Sequence, residues 1–198
     1  MTGKNIDGKI KSLQKWTNTA YEKPEDKTQE YKKRLFKNNE TVVYLVRERN
    51  IRLETIEHFS LGLSEKGELA IPIFKGKELI NFKFRTLPPK EKSFRRIVGC
   101  ETWLFNDQGI EEAKKKKEII ITEGEMDAIS IWQAGFHNVI SLVGGAQNIG
   151  PWIEEIDDIE KIYINLDSDE IGKKAARNLA EKLGVEKCIN VVLPEKDA

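Results

Sequence analysis

Glu118-Ile119-Ile120-Ile121-Thr122-Glu123-Gly124-Glu125-Met126-Asp127-Ala128 and, further along, Ile162-Tyr163-Ile164-Asn165-Leu166-Asp167-Ser168-Asp169-Glu170-Ile171-Gly172 share one plan. Each is a short apolar run that stops at an acidic residue and passes into a helix-compatible segment. Ile119 to Ile121 reads as a buried strand and Met126 to Ala134 as a helix. Val139 to Leu142 is a further strand, followed by the Gly144-Gly145 loop and a short helix over Trp152 to Ile156. Ile162 to Leu166, Glu170 to Leu183 and Ile189 to Leu193 continue as strand, helix and strand. Strands and helices alternating at this spacing predict a mainly parallel sheet flanked by helices, an α/β domain over residues 117–198.

The stretch Glu111 to Lys117 is highly charged and reads as the boundary in front of this domain, with Lys114 to Lys117 as a solvated run. Upstream, the periodicity predicts helices over Pro24 to Asn38, with Tyr31, Leu35 and Phe36 as a narrow apolar face, over Glu40 to Arg49, and over Leu53 to Phe59. From Glu68 the period changes to two. Leu69, Ile71 and Ile73 alternate, Gly76 turns the chain, and Leu79 to Phe84 forms the second arm of a β-hairpin. Trp103 to Phe105 reads as another short strand. The expected organisation is a tether or helical segment over residues 1–40, a basic helical and β-hairpin subdomain over 41–116, and the α/β domain over 117–198, α+β overall.

The chain of 198 residues is 39% apolar and 33% charged, enough to bury a core, with 33 basic and 33 acidic side chains. A net charge of zero decides nothing about nucleic-acid partners, so the distribution of charge has to be read instead. Cys100, Cys188, His58 and His137 show no metal-ligand spacing, so no zinc is expected in this chain. The start, Met1 to Lys15, is polar and basic with no apolar core of a signal peptide, and no apolar run is long enough to span a membrane. The expectation is a cytoplasmic protein with no membrane partner.

In a parallel α/β sheet the ligand site lies beyond the carboxyl ends of the strands. Glu123 follows the first strand, Asp167 and Asp169 follow the third, and Asp127 lies one helical turn beyond Glu123. Gathered carboxylates repel and favour protonation unless a cation neutralises them. Oxygen ligands with open positions suit Mg²⁺ or Mn²⁺, and two such ions roughly 3.5–4 Å apart stabilise the attacking and leaving oxygens of phosphoryl transfer. The alternative is that acids after strands cap the helices that follow, Asp169 above all.

The motif Glu-Gly-x-x-Asp-Ala at Glu123 to Ala128, followed by Asp-x-Asp-x-x-Gly from Asp167 to Gly172, resembles a TOPRIM domain, the fold shared by primases, topoisomerases and some nucleases. The resemblance is greatest to phage-type primase–helicases and their mitochondrial relatives. Ser141 to Ala146 resembles their glycine loop, and Leu193-Pro194-Glu195-Lys196-Asp197-Ala198 the segment with a further metal-site aspartate, here Asp197, although a spacer residue usual before that Lys-Asp is absent. Tyr44-Leu45 with Arg49-Asn50-Ile51 and Phe59 to Gly62 resembles the helical segment opening a primase core. Asn81 to Arg85, Phe94 and Glu101 to Phe105 resemble its basic β subdomain. The resemblance implies Glu123 as metal-linked general base or acid, Asp167, Asp169 and Asp197 as metal ligands, and Asp127 as a supporting acid. It lacks the family's zinc ribbon and any P-loop of a helicase motor, and it stops one residue after Asp197, where relatives continue.

A basic stretch fits independently. Lys75, Lys77, Lys83, Arg85, Lys90, Lys92, Arg95 and Arg96 face only Glu78 and Glu91 between positions 75 and 96. Lys83, Arg85, Arg95 and Arg96 are expected to hold phosphates of template or nucleotide; the interleaved Phe82, Phe84 and Phe94 can be core or stacking residues, and their alternation with the basic residues on a strand favours core. The function expected is a DNA primase core, condensing ribonucleoside triphosphates into a short RNA primer on single-stranded DNA, with a replicative helicase and a separate or missing zinc-binding module as partners. The rivals are a binding module for single-stranded DNA or a helicase, and a TOPRIM nuclease with water as nucleophile.

Overall fold

The computed structural model describes residues 21–143 and 151–192. The Gly144-Gly145 loop and Asp197 therefore lie outside the described residues. Helix α1 (Thr28–Lys37) buries Tyr31 and Leu35, spaced four apart on one face. The Asn38 side chain then caps α2 (Asn39–Val43) by accepting from the Thr41 N–H. The helix predicted over Glu40 to Arg49 does not stay α-helical, because a π turn runs through Tyr44–Glu48 and the Arg49 N–H donates to the Tyr44 carbonyl. Helix α3 (Leu53–His58) follows.

Strands β1 (Gly62–Leu63), β2 (Leu69–Lys75), β3 (Glu78–Arg85) and β4 (Phe94–Arg96) form an antiparallel sheet in chain order. Helix α4 (Gly109–Lys116) occupies the charged stretch that reads as a boundary. Its Ile110 and Ala113, three apart, are buried, so only the outer face is the solvated one. The second sheet has β5 (Glu118–Thr122), β6 (Val139–Ser141), β7 (Lys161–Asn165) and β8 (Cys188–Asn190) in the order β6-β5-β7-β8, all parallel. Between them run α5 (Glu125–Gln133), a 3₁₀ helix (Pro151–Ile156) and α6 (Glu170–Leu183). Trp103 to Phe105 contributes one antiparallel bridge, Phe105 to Ser141, at the outer edge of β6.

One core packs Ile119, Ile121, Ile140, Ile162 and Ile164 against Ile110, Trp152 and Ala176, which places α4, the 3₁₀ helix and α6 on one face of the parallel sheet. The other core joins the two halves of the chain. It contains Leu35, Leu45, Ile56 and Ile71 together with Met126, Ala128, Ile129 and Val139. Leu35 belongs to this core, so α1 is built into the fold although residues 1–40 read as a tether or helical segment. A polar clamp reinforces the seam. The Gln133 Oε1 accepts from the Arg52 N–H at 2.7 Å and the Thr55 hydroxyl at 2.9 Å, and its Nε2 donates to the Asn50 carbonyl at 2.8 Å. No helix among the described residues is long and apolar enough to cross a membrane.

Candidate active site

The chain runs from β5 outward to β6 on one side and then returns to β7 on the other. β5 and β7 are therefore the pair at which strand order reverses, the crevice where open α/β sheets bind ligands. Their register pairs Thr122 with Asn165, so both strands end at the same level and release Glu123 and Asp167 beside each other. The Asp167 N–H donates to the Glu123 Oε2 at 3.3 Å. Gly172 makes the second acidic turn possible, because a Cβ there would be driven into the Asp167 carbonyl oxygen.

The structure brings Glu123, Asp127, Asp167 and Asp169 to one edge. Burial raises the Glu123 carboxyl above its ordinary value. The Asp167 N–H pulls it down, and the charges of Asp167, Asp169 and Asp127 add to the rise. Asp127 is raised too, first by burial and then by Asp167, while its bond from the Gly124 N–H and the charges of Arg49 and Lys92 oppose this. That bond from the third residue of α5 back to the residue before the helix is half of a capping box. Asp169 is occupied in the same way, since its Oδ1 accepts from the Gly172 N–H at 2.8 Å and caps α6. The capping role is thus present, and it leaves Oδ2 for other ligands.

A divalent cation fits this donor set. Glu123 and Asp127 are pushed toward protonation first by burial and then by the charge of Asp167, a repulsion that a bound cation would relieve. No three of the described Asp, Glu, His or Cys residues are gathered at ion-holding distance.

Beside this edge stands the antiparallel sheet, whose Lys83 bonds Glu125 at the start of α5. Pairing of Lys83 with Arg96, Phe84 with Arg95 and Arg85 with Phe94 divides its side chains between two faces. Lys83, Arg85, Phe94 and Arg96 share the face toward α5. Arg95 goes to the other, over the Phe84 ring at 3.9 Å, and is held by Glu68 through an Nε to Oε1 bond of 2.8 Å and a second bond from Nη2 to Oε2. The four cations that read as one phosphate grip therefore separate, and Arg95 stands behind the sheet. Phe82 and Phe84 are core, packed on Tyr31, whereas Phe94 is 47% exposed and is not. Lys83 is also committed. Its Nζ lies 2.7 and 2.5 Å from the two oxygens of Glu125, a residue only 2% exposed. Burial lowers Arg85 from its ordinary value, with Tyr44, Asp127 and Glu125 pulling the other way and Arg49 adding to it.

Sequence reasoning missed two members of this site. Glu125, which the sequence shows only inside the Glu-Gly-x-x-Asp-Ala motif, is bonded by Lys83. Arg49, which no periodicity singles out, lies near enough to influence both Asp127 and Arg85. Its place in the Arg49-Asn50-Ile51 motif, with Asn50 at a φ of 52°, was the available signal.

Residues 120–198 match the Toprim-like family. The chain is 32% identical over 171 residues to a DNA primase of Campylobacter jejuni, a match that takes in 75% of this chain and 27% of that protein. Its fold is that of primase cores. The zinc-binding and RNA polymerase domains of the Aquifex aeolicus primase superpose with a TM-score of 0.72 at 21% identity, over 85% of this chain and 53% of that one. The primase fragment of the bacteriophage T7 primase-helicase superposes with a TM-score of 0.61 at 28% identity, over 76% and 64%. The chain thus spans about a quarter of the length of the Campylobacter relative.

Proposed function

We propose that this chain is the catalytic core of a DNA primase, joining nucleoside triphosphates into a short primer along single-stranded DNA. The observation that carries it is the placing of a basic sheet face beside the acidic edge at the β5–β7 switch point, the two joined by the Lys83–Glu125 bond. A pure binding surface for nucleic acid needs the cations and is weakened by the acids. Nucleotidyl transfer needs both.

Glu123, Asp167 and Asp169, with Asp197 beyond the described residues, would hold Mg²⁺ or Mn²⁺. When bound, the ion supplies charge to the triphosphate and acidity to a coordinated hydroxyl. Glu123, raised by burial and by its neighbours, is suited to take the proton of the primer 3′-hydroxyl. Asp127, anchored on the Gly124 N–H, keeps the acidic edge together. Arg85 and Arg96 face the crevice and would bind phosphate oxygens, and Lys83 contributes through its pair with Glu125. Likeness to the T7 primase-helicase fragment supports a helicase partner, in the same chain or separate.

The test uses purified protein, single-stranded DNA, labelled nucleoside triphosphates and Mg²⁺ or Mn²⁺. Oligomers that form with the wild type and vanish in Glu123→Gln and Asp167→Asn are the expected result. Shortened DNA would instead identify a nuclease, and DNA binding without product in any metal would leave only a binding module.

A further inference from the structure

The hairpin carries three phenylalanines, and two of them are accounted for by the core under Tyr31. Phe94 is not. It stands on β4, opposite Arg85, on the face turned to the acidic edge, and remains about half exposed. Burying a phenyl ring fully would gain roughly 1.5–3 kcal/mol, so an exposed ring beside a crevice forgoes part of that stabilisation. Three cations lie over its ring. The Lys83 Nζ is 4.7 Å from the ring centre, the Lys92 Nζ 5.7 Å and the Arg85 Cζ 5.9 Å. Lys83 is bound to Glu125, but Arg85 and Lys92 form no ion pair among the described residues.

An exposed aromatic ring with cations over it, two of them without an ion pair among the described residues, matches a flat heteroaromatic base with a phosphate attached, the phosphate drawing those cations off the ring as the base stacks. The ring takes the base and the cations take the phosphate. The location agrees, because Lys83 ties the platform to the start of α5, two residues past Glu123, and Lys92 is near enough for Asp127 to sense its charge.

We propose that Phe94 is a stacking platform for a nucleobase at the crevice, with Arg85 and Lys92 holding the phosphate of the same nucleotide. This rests on the primase reading of the crevice and specifies how that crevice grips its substrate. The base can belong to the template strand or to an incoming nucleoside triphosphate.

Binding of a labelled single-stranded oligonucleotide, of the same strand with abasic sites, and of a nucleoside triphosphate separates these sources. Stacking worth about 1–3 kcal/mol per base predicts that Phe94→Leu, which keeps apolar bulk, weakens one of the two natural ligands roughly 5- to 150-fold. Phe94→Trp should restore it. The slope of affinity against salt should not change, because the phosphate contacts remain. Loss in the oligonucleotide arm assigns the base to the template, and loss in the triphosphate arm assigns it to the substrate. In the template case the wild type should lose the same factor on the abasic strand, and Phe94→Leu should not distinguish the two strands.

Unchanged affinity of Phe94→Leu for both natural ligands overturns the proposal. So does equal loss in Phe94→Leu and Phe94→Trp with a wild type indifferent to the base, the pattern of simple misfolding. Primer synthesis with no dependence on Phe94 would refute the platform alone. Base-dependent, Phe94-dependent binding without synthesis would keep the platform and refute the polymerase reading.

Discussion

Lys83→Met should be the most damaging single substitution on the basic face, and the damage should be structural before it is catalytic. Lys83 has 13% of its side chain exposed and Glu125 2%, with the ammonium bonded to both carboxylate oxygens. Removing one member of a buried pair leaves an uncompensated charge, at a cost of about 3–5 kcal/mol. For a domain of this size each kcal/mol moves the melting temperature roughly 2–4 °C, so the variant should melt roughly 6–20 °C lower. Glu125→Leu should be destabilised by a similar mechanism, because it strands the ammonium. The double variant Lys83→Met with Glu125→Leu places two apolar groups in contact and should recover most of the loss. Urea unfolding of the four proteins gives the coupling directly. A loss below about 1 kcal/mol in Lys83→Met, or a double variant as unstable as the sum of the singles, would refute a buried, mutually dependent pair.

Asp169 serves two purposes that can be separated. Asp169→Asn should keep the α6 cap while Asp169→Ala should lose about 0.5–2 kcal/mol by thermal unfolding, yet both should lose primer synthesis. Gln133→Ala removes three bonds across the seam and should cost about 1.5–3 kcal/mol in a urea titration, with no effect confined to the active site. His58 is lowered from its ordinary 6.5, first by burial and then by His137, and stacks on Trp132 with ring centres 4.1 Å apart. As its folded value lies below the unfolded one, its contribution is complete above about pH 6.5 and is lost as the pH falls through the lowered value. Comparing urea midpoints at about pH 7.5 and about pH 5.5, the wild type should lose more than His58→Phe, which keeps the stack without the titrating ring.

The acidic edge was legible in the sequence because two properties coincide there. Apolar runs ending in acids set the strand ends, and alternation of strand and helix sets parallel pairing, which brings the ends of β5 and β7 to one level. Local reading also located Asp169 as a cap. It did not separate Arg95 from Arg96, because only the pairing of β3 with β4 determines which neighbour faces the crevice. Glu125 was invisible for a related reason, since its partner Lys83 lies 42 positions away in sequence. Arg49 escaped because the π turn changes the helical phase just ahead of it, which no 3.6-residue pattern anticipates. The charged stretch of α4 concealed a helix, its buried Ile110 and Ala113 being outnumbered by three lysines and two glutamates.

The Glu68–Arg95 bond behind the sheet has a consequence for how this sequence can vary. Residues 86–93 connect β3 to β4 across a broad loop, and a one-residue slip of β4 would send Arg95 into the crevice and withdraw Phe94 and Arg96. Because the ion pair fixes β4 from the far side, alignment does not depend on the length of that loop. Length changes confined to residues 87–90 are therefore expected to be tolerated in related sequences, so long as Lys92 and the Glu68–Arg95 pair are kept.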